Sequence, residues 1–425
     1  MEKRKVQKIQ RHYYFRLAII SALIGVLSCL LAFSLKKITE IFQEIIFEKT
    51  GEINPLLYIV LPSVGITAIY FMRKYLFQNR KNKGITEIYK TVDFRKDHLP
   101  FFKIPSHYFN GFLTVIFGGS TGVEVSTVVA TATVGNQIYE KQFSANVYKL
   151  ELICAGVCAG VAILFGSPIA GWLFAMEVIA RKINKSLIIS CTASAIVSAI
   201  ALYLIQGKTL LPYEITEWKY SAIPFFIILS ILGGVLSVYF TLAVIKIKDF
   251  FANISNNFLR VNAGAIIVGT MIFFFPFLYG DSYHALTEML KTSNVHEYSF
   301  LVLILLVLLK PLASSFTLGA GGDGGVFAPS IVSGGFLGFL FALFCNTYFG
   351  TDLIYLNFAL VGAAATLSAS IYAPFTALFL VCNMVPNGFQ LFVPILLGCL
   401  ISKKLANMIL PYNVYTYNPD TKTKY

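Results

Sequence analysis

A single carboxylate, Glu124, stands inside "GGSTGVEVSTVV" (118–129), and no basic residue follows it within fifteen positions. Glycines there open onto small and β-branched residues, the pattern of a turn that leads into a helix. A helix N-terminus carries unpaired N–H groups and about half a positive charge, so it receives anions. A carboxylate placed there can occupy the position of a permeant anion and give it up when protonated. Ionisable residues at membrane depth are functional candidates, and Glu124 is a candidate gate, with Gly122 and Val123 shaping its turn. The plainer alternative is a capped carboxylate with a structural role.

Two more stretches share this design, "KNKGITEI" (81–88) and "GAGGDGGVFAPSIV" (319–332). Each sets glycine ahead of an apolar helix. Unwound backbone at membrane depth costs several kcal/mol per unsatisfied group unless it lines a cavity or binds something. Several helix starts aimed at one point would hold an anion without a formal cation, which suits an ion that must also leave. An extramembrane loop is the alternative for "GAGGDGGVFAP". Closely flanking apolar segments, and a proline near the start of "VFAPSIV", favour a re-entrant element.

The elements that must position these turns are membrane helices. Hydrophobic residues make up 56% of the 425, charged residues 13%, and mean hydropathy is +0.71, against about 25% charged in soluble domains. Apolar runs long enough to cross a bilayer recur at 17–35, 56–72, 186–206, 222–245, 262–279, 299–320, 331–349 and 389–410. The expectation is an all-α polytopic membrane protein. The first run is too long for the core of a cleavable leader. A net charge of +13 reflects basic clusters beside the spans rather than nucleic-acid binding. Lys3, Arg4, Lys5, Lys8, Arg11 and Arg16 form one, and Arg73, Lys74, Arg80, Lys81 and Lys83 another. Such clusters stay cytoplasmic, which places the N-terminus inside. The organisation expected is a basic cytoplasmic segment (1–16), a transmembrane domain (17–416) and a short cytoplasmic tail (417–425), with both termini inside a multi-pass cell-membrane protein.

The chain also nearly repeats itself. "GSPIAGWLFAMEV" (166–178) is echoed by "YAPFTALFLVCNMV" (372–385), with Pro168 and Pro374 separated by 206 positions. "GVEVS" (122–126) corresponds to "GVFAP" (325–329) at an offset of 203. Two motifs in one order at nearly one offset divide the domain into halves, roughly 17–206 and 222–416, as in transporters whose site lies between repeats.

Other chemistries lack their residues. Cys154 and Cys158 lie among small residues in "CAGVCAG", a packing pattern. His12, His98, His107, His284 and His296 form no metal-ligand spacing, so no metal or cofactor is expected. They form no catalytic constellation either, which speaks against an enzyme. A cation-coupled transporter would need more carboxylates than Glu124 and Glu177.

These motifs resemble the CLC family of chloride channels and chloride/proton antiporters along nearly the whole chain. The family's three anion-coordinating signatures, GSGIPE, GREGP and GGIFAP, appear here as "NKGITE" (82–87), "GVEVS" (122–126) and "GGVFAP" (324–329). "CAGVCAGVAILFGSPIAGWLFAMEV" (154–178), "LLKPLASSFTLGAGG" (308–322) and "VYT" (414–416) are similar to further family segments. The resemblance implies a CLC-like inverted repeat of about eighteen tilted helical segments with re-entrant broken helices. It implies a homodimer in membrane lipid with one pore per subunit. Glu124 would be the gate, and Val326, Phe327 and Tyr415 would hold the central anion, supported by Gly324 and Gly325. Lys83, Gly84, Ile85 and Thr86 would form the first signature's contribution.

The departures are specific. Lys83 stands where the family has its anion-touching serine, and Thr86 replaces the proline. Lys83 would either attract anions at the site or point into a vestibule, with Asn82 or Thr86 supplying the contact instead. Val125 and Ser126 replace Gly-Pro, and Asp323 adds a charge before the third signature. The internal proton-transfer glutamate of many antiporters falls on Val178, next to Glu177. That valine favours a passive, glutamate-gated chloride channel. The alternative is a chloride/proton antiporter using the same Glu124, with water relaying the proton. A fluoride-selective relative is more remote, and nitrate transport stays open.

Overall fold

The computed structural model describes residues 2–78, 80, 82–93, 98–142, 148–206, 209–291, 298–418 and 423–424. Lys81, His296, the side chains of Lys3, Arg4, Lys5 and Lys8, and most of the tail beyond Tyr417 lie outside them. The described residues form sixteen α-helices, seven of them long and apolar enough to cross a membrane. The chain is a multi-pass membrane protein. Two compact units divide it, one of residues 1–36, 82–108 and 127–208, the other of 37–81, 109–126 and 209–425.

In the first unit, α6 (Lys149–Phe165) is buried from Glu151 to Phe165. Its alanines, glycines and cysteines let α7 (Pro168–Phe174) and α8 (Lys185–Ile205) pack closely against it. The sulfhydryls of Cys154 and Cys158 donate to the carbonyls of Ala175 (3.6 Å) and Cys191 (3.5 Å). Gly166 ends α6 at φ 66°, the Ser167 hydroxyl accepts the Ala170 N–H (3.2 Å), and Pro168 opens α7. Proline suits that first turn because the N–H it lacks would have no helical partner. α7 then runs into a π-helical stretch, Ala175–Ala180.

The second unit has a counterpart built the same way. α14 (Tyr355–Ile371) is buried from Asn357 to Ile371 and packs on α9 (Ile223–Ala252), α13 (Phe327–Phe349) and α16 (Phe392–Ile409). Gly334 of α13 and Gly362 of α14 touch. A Cβ on either would lie 2.4 or 2.3 Å from the other's carbonyl oxygen. Tyr372 (φ 57°) ends α14 and Pro374 opens α15 (Pro374–Cys382). The Ser368 hydroxyl donates to the Cys399 carbonyl as Cys158 does to Cys191, and Ser402 to Ala365 as Ser194 does to Ala155. α12 (Phe300–Ala320) leads through the turn 321–326 into α13.

Candidate gate and anion site

The turn 118–123 delivers Glu124 as the first residue of α5 (Glu124–Gln142). The carboxylate is 4% exposed and folds back over its own turn. A Cβ on Gly122 would stand 2.1 Å from Oε2 and 2.5 Å from Oε1, so only glycine leaves the carboxylate this seat. The Tyr283 hydroxyl, at the start of α11 (Tyr283–Met289), donates to Oε1 at 3.3 Å. Oε2 is buried without a hydrogen-bond partner among the described residues. A buried, half-satisfied carboxylate beside a helix start is held by little and can be exchanged for another anion or a proton.

The turn 321–326 is a second copy of the same backbone path. The Thr114 hydroxyl accepts the Asp323 N–H (2.9 Å), and the Thr317 hydroxyl accepts the Ser120 N–H (3.0 Å). Each threonine hydroxyl also donates four residues back along its helix, to Asn110 or Ala313. Gly118 and Gly321 sit at φ 85° and 106°, a conformation open chiefly to glycine. Read at the 203-residue offset, "TVIFGGSTGVE" (114–124) and "TLGAGGDGGVF" (317–327) align without a gap, and Glu124 falls opposite Phe327. The Thr121 hydroxyl joins the two turns, donating to the Gly325 carbonyl (2.8 Å) and accepting its N–H (3.0 Å).

At the second turn the candidate anion residues meet. α13 makes its first bond from the Ser330 N–H to the Val326 carbonyl, so the amides of Val326 and Phe327 lie ahead of the helical ladder. The Val326 N–H donates to the Tyr415 hydroxyl at 3.3 Å, and the Phe327 and Tyr415 rings lie 6.0 Å apart. Gly325 permits this approach. A Cβ there would meet Val125 at 2.1 Å and Tyr415 Oη at 2.9 Å, while one on Gly324 would meet Thr121 at 2.5 Å. Val125, a departure from the family pattern, is thus a packing surface for the second turn.

The first signature and the Glu177–Val178 pair belong to the other unit. Gly84 (φ 63°) turns the chain into α3 (Ile85–Asp93), with Ile85 buried and Thr86 half-buried. Lys83 is exposed, and its backbone N–H donates to the Glu87 carboxylate, a capping arrangement. Buried Lys103 pairs with that carboxylate at 2.7 Å and donates to Asn82 Oδ1 at 3.2 Å. The Asn82 amide in turn donates to Ser106 (3.0 Å). Asn82 and Glu87 therefore knit this turn together. Val178 is buried within the π-helical stretch, where the Arg181 N–H reaches the Met176 carbonyl (2.9 Å), and Glu177 is half-buried. A π-turn widens a helix and often marks a functional position.

Sequence reasoning passed over Tyr283, Thr114 and Thr317. The threonines carried a usable signal, their 203-residue spacing. Tyr283 carried none, being one of 23 tyrosines.

Comparison with known proteins agrees with this architecture. The model of the family described as "Voltage gated chloride channel" matches residues 64–407. The H(+)/Cl(-) exchange transporter ClcA of Vibrio parahaemolyticus is 26% identical over 413 residues, covering 94% of this chain and 87% of that protein. The crystal structure of a slow cyanobacterial Cl-/H+ antiporter superimposes with a TM-score of 0.79 at 21% identity, over 94% of this chain and 96% of that one. A CLC-type fluoride/proton antiporter gives 0.77 at 22%, over 94% and 97%. With a family match of that extent and the CLC fold, the chain belongs to the voltage gated chloride channel family, the CLC proteins.

Proposed function

We propose that this CLC protein exchanges chloride for protons across the cell membrane, with Glu124 as both gate and proton carrier. Family membership sets aside the enzyme reading and places the chain among anion-transport proteins. The observation that carries the role of Glu124 in this reading is its seat. Its carboxylate starts a helix, rests on Gly122, takes one bond from Tyr283 and leaves Oε2 unpaired. Protonation removes the charge that the helix start attracts, so the side chain leaves its seat and an anion takes it. The amides of Val326 and Phe327 with the Tyr415 hydroxyl form the central anion site. Lys83, Gly84, Ile85 and Thr86 supply the first signature's share, with the Lys83 ammonium in a solvated vestibule. The protein works as a homodimer in lipid, with repeat halves 17–206 and 222–416 and both termini cytoplasmic.

Passive conduction is the second reading, and Val178 favours it, because a buried valine cannot pass a proton inward. The relatives named above are exchangers or antiporters, which weighs toward exchange, with water carrying the proton past Val178. The test is reconstitution in liposomes under a chloride gradient, with chloride and external pH followed for wild type and Glu124→Gln. Wild type is expected to drive protons uphill, and the variant to move chloride alone with no pH dependence. Chloride flow without proton movement in wild type would make the protein a channel. Replacing chloride by fluoride or nitrate in the same assay ranks the anions.

A further inference from the structure

Lys310 lies in the middle of α12, 0% exposed, and the gate described above makes no use of it. A buried ammonium is costly unless each N–H finds an acceptor. Its three N–H groups are met by the Ser120 hydroxyl (2.8 Å), the Gly280 carbonyl (2.8 Å) and the Ser282 hydroxyl (2.7 Å). All three acceptors are neutral, and together the three bonds fix the Lys310 Nζ between them.

The acceptors lie on the two segments that hold Glu124. Ser120 belongs to the turn whose Gly122 seats the carboxylate, and its N–H is fixed by Thr317. Gly280 and Ser282 precede Tyr283, the residue that donates to Glu124. Asp281, between them, accepts the Tyr283 N–H (3.1 Å) and a bond from Gln43 (3.3 Å). One ammonium thus ties the seat of the gate to its clasp. We propose that Lys310 is the positioning residue of the gate, holding the Ser120 turn and the Tyr283 turn at the separation that seats Glu124. This rests on Glu124 being the gate, though not on whether protons are exchanged.

Chloride flux tests the inference, and proton movement tests the exchanger reading, so the two can fail separately. Lys310→Met and Ser120→Ala are each reconstituted with Glu124 present and in the Glu124→Gln background. Ser120→Ala removes one of the lysine's acceptors on the gate side, and it decides the matter if Lys310→Met does not fold. With Glu124 present, chloride leak is expected to rise about tenfold, the weight of one hydrogen bond to a charged group. In Glu124→Gln the same changes are expected to leave flux within about twofold, because nothing remains to position. Equal changes in both backgrounds would make Lys310 a general structural residue and overturn the inference. So would unchanged flux with Glu124 present, or a Glu124→Gln flux equal to wild type.

Discussion

The turns at 118–124 and 321–327 share one backbone path, one left-handed glycine and reciprocal threonine bonds, yet they present different groups at the helix they open. One presents the Glu124 carboxylate, the other the Phe327 ring with Tyr415 beside it. A helix start that favours negative charge is filled from within in the first case. In the second, the apolar ring offers no competitor for that charge. On the roles proposed above, similar turns are told apart by what stands at the helix start, a carboxylate at 124 and an aromatic ring at 327, so the difference lies in chemistry more than in backbone.

The strongest test of that division uses the glycines at matching positions. Gly122→Ala would push a methyl group into the Glu124 carboxylate, and Gly325→Ala would push one into Val125 and Tyr415. A displacement of about 1 Å at a reacting centre is worth about a hundredfold. For Gly122→Ala, protons moved per chloride should fall by about that factor while chloride still flows. For Gly325→Ala, chloride flux itself should fall by about a hundredfold. Liposome assays of both ions read this directly, and identical defects would mean that the turns share one task.

Tyrosine substitutions sharpen the comparison at smaller scale. Tyr283→Phe removes the one side-chain donor shown for Glu124, and a hydrogen bond to a charged group is worth about 1.5–3 kcal/mol. Chloride leak at neutral pH should rise about tenfold, and lowering the pH should erase the difference, since the protonated gate no longer needs the donor. Tyr415→Phe touches the other turn. Titration calorimetry in detergent should show chloride binding weakened about threefold to tenfold, with the proton-to-chloride ratio unchanged.

Much of this was legible in the residues. Seven of the eight apolar runs became helices long and apolar enough to cross a membrane, the run 56–72 forming a helix (Leu57–Tyr75) outside that set. The short "GSP" and "YAP" interruptions became the breaks after α6 and α14. The third signature lies beside Tyr415 as its resemblance implied, because Gly324 and Gly325 tolerate contacts that any Cβ would block. The first signature read less clearly. Its lysine left two readings open, at the anion site or in a vestibule, and the turn itself is organised by Glu87 and Lys103, sixteen residues apart in the chain. Lys310 was quoted within a motif and passed over, although a lone lysine in an apolar span asks for acceptors. Ser120, Gly280 and Ser282 answer it only in three dimensions, and no periodicity links them.

The smallest effects should come from the threonines that make the two turns reciprocal. Thr114→Val orphans the Asp323 N–H and Thr317→Val orphans the Ser120 N–H, each in a buried setting. Either loss should cost about 1 kcal/mol, seen as a modest fall in the thermal midpoint of the detergent-solubilised protein. If the turns are equivalent as backbone, the two falls should match. On the proposed roles their functional signatures should differ, because Ser120 bonds Lys310 whereas Asp323 lies within the turn 321–326 that carries Val326. Thr317→Val should therefore raise chloride leak and Thr114→Val should weaken chloride binding. Reversed signatures would show that each turn is governed by its own helix rather than by the threonine facing it.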